Sequence, residues 1–105
     1  MKKLIFGLIV FLGSMSVFAG ESVSNQTVNF VETGWGAEGI YVQTDSSANK
    51  CGLAGRFFIR PDHPLLKIMV TELMLAINSG NKVNIYIEGC HGSEMNVEAV
   101  GIAKK

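Results

Sequence analysis

Residues 65–88 read LLKIMVTELMLAINSGNKVNIYIE, and the spacing of apolar residues changes inside this stretch. Leu66, Met69 or Val70, Leu73 and Ile77 recur at three- and four-residue steps, which lines one face of a helix. Leu65, Ile68 and Ala76 widen the stripe, and Met74 and Leu75 spread it further, so the helix is either deeply buried or packed against a partner. Asn78-Ser79-Gly80 ends it, with Gly80 placed for a left-handed C-cap. From Val83 to Glu88 the period drops to two. Val83, Ile85 and Ile87 face inward, and Asn84, Tyr86 and Glu88 outward, as in a half-buried strand.

Working outward, Pro61-Asp62-His63-Pro64 punctuates the chain before the helix. Pro64 suits a first helical turn, where its missing N–H costs nothing. Asp62 or His63 then falls at the N-cap, Asp62 being the better cap chemically. Three strands are expected upstream: Thr27 to Thr33 with Val28 and Phe30 on the inner face, Ile40 to Thr44 with Ile40 and Val42 inward, and Arg56 to Arg60. Gly20 to Gln26 is polar and reads as a frayed terminus or the lead-in to a strand. Downstream, Gly89 to Glu94 reads as a turn and Asn96 to Ala103 as a last strand. The order β-β-β-α-β-β predicts an all-β chain with one helix, arranged as a small OB-fold-like antiparallel barrel. A ferredoxin-like sandwich would need a second helix, which the pattern lacks.

The first nineteen residues, MKKLIFGLIVFLGSMSVFA, have the form of a secretory signal peptide. Lys2 and Lys3 supply the positive start, Leu4 to Leu12 the apolar run, and Val17-Phe18-Ala19 the small residues before a cut at Gly20. Residues 20–105 are then a single domain, secreted or periplasmic. Formal charge over all 105 residues is zero, and the leader removes two lysines, leaving a slightly acidic remainder. Neither nucleic acid nor an anionic membrane surface fits that balance. Cys51 and Cys90 are the only cysteines, and export leads to an oxidising compartment, so one disulfide is expected.

Motifs for chemistry are sparse. Gly34-Trp35-Gly36-Ala37-Glu38-Gly39 fits the dinucleotide pattern letter for letter. That fingerprint needs a helix after the glycines, whereas a strand follows here, so a glycine-rich hairpin loop is the better reading. Cys51, Cys90, His63 and His91 lack paired metal-ligand spacing, and no metal or cofactor is expected. Asp62-His63 invites a general-base role, but neighbours in a chain usually point apart and a helix cap already accounts for them. No nucleophile elbow surrounds Ser46, Ser47, Ser79 or Ser93, and the chain is read as not an enzyme. Aromatic and polar residues on one edge offer binding chemistry instead. Trp35, Tyr41, Gln43, Asp45 and Ser46 are the candidate ligand-binding residues, the aromatics for stacking and the rest for hydrogen bonds. Trp35 has a second reading, as a plug over one end of the barrel.

Two stretches carry a family resemblance: Val31-Glu32-Thr33-Gly34, and the helix running into Asn78-Ser79-Gly80-Asn81-Lys82-Val83-Asn84-Ile85-Tyr86-Ile87-Glu88. A helix ending in Ser-Gly, followed by a strand of this type, resembles the B subunits of AB5-type toxins, in particular the subtilase cytotoxin and typhoid toxin group. The resemblance implies an OB-fold, secretion, a homo-oligomeric ring of five and recognition of a surface glycan or a protein partner. This chain is shorter than those subunits, its cysteines do not clearly coincide with theirs, and it lacks an obvious match to their sugar-contacting residues, so no site is carried over. A monomeric periplasmic structural or stress-related protein without a small-molecule ligand is the competing expectation.

Overall fold

The computed structural model describes residues 20–34, 36 and 38–104. The expected leader and Trp35 lie outside them. Six strands and one helix follow in the order β1 (Glu21–Gln26), β2 (Val28–Thr33), β3 (Ile40–Thr44), β4 (Arg56–Ile59), α1 (Leu66–Ser79), β5 (Lys82–His91) and β6 (Glu94–Ala103). The strands form one sheet in the order β1-β5-β6-β4-β3-β2. All neighbours are antiparallel except β4 and β6, which run parallel. The fold is thus mostly β with a single helix, as the pattern predicts. No helix of the described residues is long and apolar enough to cross a membrane.

The segment expected to be a frayed terminus or the lead-in to a strand is itself a full strand, Glu21–Gln26. Its sequence, ESVSNQ, has little strand propensity, and pairing supplies the order instead. Glu21, Ser22 and Val23 lie opposite Ile87, Tyr86 and Ile85 of β5. The chain then bends sharply into β2. Asn25 takes a positive φ of 57°, and its N–H donates to Asn84 Oδ1 at 2.8 Å. Gln26 is buried, with its Nε2 donating to the Val23 carbonyl and its Oε1 accepting from the Thr44 hydroxyl at 2.6 Å. A buried amide so satisfied fixes the bend rather than weakening it.

Strand β2 differs from the expected facing. Val28 is buried, but Phe30 is 49% exposed and Val31 packs on the core. A register shift between Val28 and Phe30 is the cause, since an extra residue in one strand reverses every side chain beyond it. The helix cap is a second correction. Asp62 pairs with Arg60 at 3.1 Å and does not reach the helix. Leu65 is the N-cap residue, and its N–H donates to Nδ1 of the preceding His63 at 3.0 Å. Gly80 closes the other end as expected, at φ 77° with its N–H on the Ala76 carbonyl. The β5–β6 hairpin is longer than read, reaching His91 and restarting at Glu94, with Gly89 at φ 77° where the register shifts.

Met69, Leu73 and Ala76 of α1 pack on the inward residues of the sheet. These include Val28, Val42, Phe57, Ile59, Val83, Ile85, Ile87, Met95 and Val97, a single core built from the alternation of each strand. Cys51 and Cys90 are bridged, with Cα atoms 5.6 Å apart. The bridge ties the loop before β4 to the end of β5.

Candidate functional site

The same alternation that sends Val42, Phe57 and Ile59 into the core sends Tyr41, Gln43, Arg56 and Phe58 to the other side of the sheet. Register places Tyr41 opposite Phe58 and Gln43 opposite Arg56, with Glu32 and Phe30 of β2 beside them. Asn96 of β6 lies next to Phe58. A residue on this face would ordinarily be wet, yet Phe58 is only 3% exposed. Its cover comes from two aromatic rings. The His91 imidazole stacks flat on it, with centroids 3.7 Å apart and planes 9° apart, and Tyr41 leans over it at 5.1 Å.

His91 reaches Phe58 because the end of the β5–β6 hairpin is held from two sides. The Cys51–Cys90 bridge fixes the preceding residue, and Leu53 N–H donates to the Ser93 carbonyl at 3.2 Å across the turn. On the other flank, the β2–β3 turn is closed by the Gly34 N–H on the Gly39 carbonyl at 2.7 Å. Gly39 has a φ of 143°, and a Cβ there would sit 2.6 Å from both the Phe58 ring and the Ile59 carbonyl, so this approach requires glycine.

The electrostatics of the face are acidic. Burial, interaction with Glu38 and the charges of Glu94 and Glu32 push the Tyr41 phenol above its ordinary pKa, so it remains a donor. Arg56 meets Glu94 at 3.8 Å, while Glu32 and Glu38 form no ion pair among the described residues. Ring faces beside carboxylates and an amide suit hydroxyl-rich or cationic ligands and repel phosphates.

The sequence-picked residues therefore divide. Tyr41 and Gln43 share this face. Asp45 and Ser46, beyond the end of β3, are engaged in local hydrogen bonds. Asp45 Oδ1 accepts from the Thr27 N–H at 2.9 Å, and Asp45 N–H donates back to the Thr27 carbonyl at 3.1 Å. Ser46 N–H donates to the Thr44 hydroxyl, and its Oγ accepts from the Ala48 N–H at 3.0 Å. Both residues hold the loop in shape. Phe58 and His91 are the residues that sequence reasoning missed. The stacking of Phe58 on His91 comes from a contact distant in sequence.

Two hollows lie elsewhere, beside the start of α1. One, of about 360 Å³, is lined by Thr33, Gly34, Gly39, Ile40, Pro61 and Leu66. The other, of about 500 Å³, shares Pro61 and Leu66 and adds His63, Pro64, Lys67 and Ile68. His63 is buried there between the Leu65 N–H and Glu98, whose Oε1 lies 3.5 Å from Nε2. Among the described residues no group of histidine, cysteine and carboxylate side chains is placed to hold a metal ion. No protein-family model matches this chain, and no curated protein matches it.

Proposed function

We propose that the chain is an exported, non-enzymatic binding module of the toxin B-subunit kind, recognising a glycan through the outer face of β3 and β4. The observation that carries this reading is the Tyr41–Phe58–His91 stack, three rings gathered on the side of the sheet away from the core. Sugars present apolar ring faces to aromatics and hydroxyls to acceptors, and Gln43, Glu32 and Glu38 surround the stack. Phe30, half exposed beside Gln43, favours the second reading, a protein partner with an apolar anchor.

The fold supports the choice of face if the sheet is read as an OB-like barrel. Strands β1 and β2 stand at opposite ends of the strand order, yet only Thr27 separates them in the chain. One bent strand shared by both edges would leave the sheet without a free edge. Counted as one, β1 and β2 make β3 and β4 the second and third strands, the face on which OB-folds bind oligosaccharides and oligonucleotides. The β2–β3 and β5–β6 turns then flank it, where Glu38 and His91 sit. The bridged cysteines and the leader-like residues 1–19 favour export. His63 and His91, the two histidines, are engaged in packing and hydrogen bonds, which favours binding over catalysis.

The test is binding of the oxidised protein to an array of immobilised glycans, beside capture of proteins from membrane extracts. Tyr41→Ala and His91→Ala should abolish the signal while Asp45→Asn leaves it, each variant checked for native circular dichroism. Binding that survives both aromatic changes places recognition elsewhere.

A further inference from the structure

The two hollows beside the start of α1 share Pro61 and Leu66, so they adjoin as one cleft. At about 360 and 500 Å³, each falls within the roughly 300–1,000 Å³ of small-molecule sites. Its two ends differ in chemistry. Toward the β2–β3 turn the walls are Ile40, Pro61 and Leu66, with Thr33 adding a single hydroxyl. The Gly34 N–H and the Gly39 carbonyl, which also border this end, are spent on each other. Toward the helix, Ile68 forms part of the wall. It is 59% exposed, more than any other large apolar side chain among the described residues. Apolar surface left open in a concavity is the surface that a bound apolar group covers.

The charges around the helix end offset one another with one exception. Arg60 lies 3.1 Å from Asp62 and 3.2 Å from Glu98. His63 lines the cleft, but both ring nitrogens are engaged, Nδ1 by the Leu65 N–H and Nε2 by Glu98. Its ring therefore adds a wall and no free donor. Lys67 is the remaining charged residue of the lining, and it forms no ion pair among the described residues. One ammonium at the helix end of an apolar cleft complements one negative charge carried on an apolar body. A phosphate or a polyanion would need several donors, and a sugar would bury hydroxyls against Ile40, Pro61 and Leu66 without partners.

We infer that this cleft is a binding site for a medium-chain carboxylic acid, with the hydrocarbon chain along Ile68, Leu66 and Pro61 and the carboxylate at Lys67. Tyr41, Phe58 and His91 do not line it, so the site stands or falls apart from glycan recognition. Titration of the isotopically labelled, oxidised protein with octanoate, followed by amide NMR shifts, tests it, with octanol as the uncharged comparison. Octanoate should bind saturably and more tightly than octanol, with the shifts centred on Ile40, Leu66 and Lys67. Lys67→Gln should weaken octanoate roughly three- to fivefold and leave octanol unchanged. Ile68→Ser should weaken both, each variant keeping native circular dichroism. Shifts that do not saturate overturn the inference, as does octanol bound as tightly as octanoate. Binding that Ile68→Ser leaves intact, or shifts centred on Met74 and Leu75 further along α1, overturns it as well.

Discussion

Removing the Cys51–Cys90 bridge is the perturbation whose size follows most directly from the structure. The bridged residues are 39 apart in sequence. In the chain-entropy model, closing a loop of that length withdraws about 13 cal/mol/K from the unfolded chain, about 4 kcal/mol at 25 °C. At roughly 4–8 °C per kcal/mol for a domain of this size, Tm should fall by about 20 °C or more. The double variant Cys51→Ala with Cys90→Ala avoids stray thiols, and reduced wild type is its control. Cys51 packs against the core, so the variant should melt slightly below the reduced protein. Calorimetry on the oxidised, reduced and alanine forms supplies the three values. Binding should weaken as well, because the bridge holds the residue next to His91 and so the cover over Phe58. A drop of less than about 5 °C would refute the reasoning, showing that the unfolded chain is already restrained or that the hairpin end needs no tether.

Leu73 is fully buried where α1 meets the sheet, so Leu73→Ala should destabilise by about 2–5 kcal/mol in chemical denaturation with little change in slope. Glu72 bears on pH dependence. With its pKa raised in the folded chain, the folded state holds this proton more tightly than the unfolded state does. The stability tied to it is fully present below the ordinary glutamate value and is lost as pH rises through the raised one. Denaturation midpoints of dilute monomer should therefore fall with rising pH across that window relative to Glu72→Gln, and parallel curves for the two proteins would count against a desolvated carboxyl.

The helix and β5 were legible because residues 65–88 keep a strict period, first near 3.6 and then 2. Gly80 marked the helix end because a left-handed C-cap has a local chemical signature. β1 was not legible, since Ser22, Ser24 and Asn25 are poor strand formers and partners in β5 impose the conformation. Phe30 was assigned to the wrong face because strict alternation cannot foresee a bulge. For the site, alternation along β3 found Tyr41 and Gln43 together. It could not show that Asp45 and Ser46 would be held by Thr27, Thr44 and Ala48, nor that His91 would arrive over Phe58. Those outcomes depend on loop closure and on which strands become neighbours.

The most direct test of the proposed recognition face compares wild-type protein with Tyr41→Ala on one glycan array, with matched circular dichroism. The account predicts discrete glycan binding by the wild type that disappears in the variant, since the ring leaning on Phe58 would be gone. Equal binding by both proteins, or no glycan bound by the wild type, would contradict it.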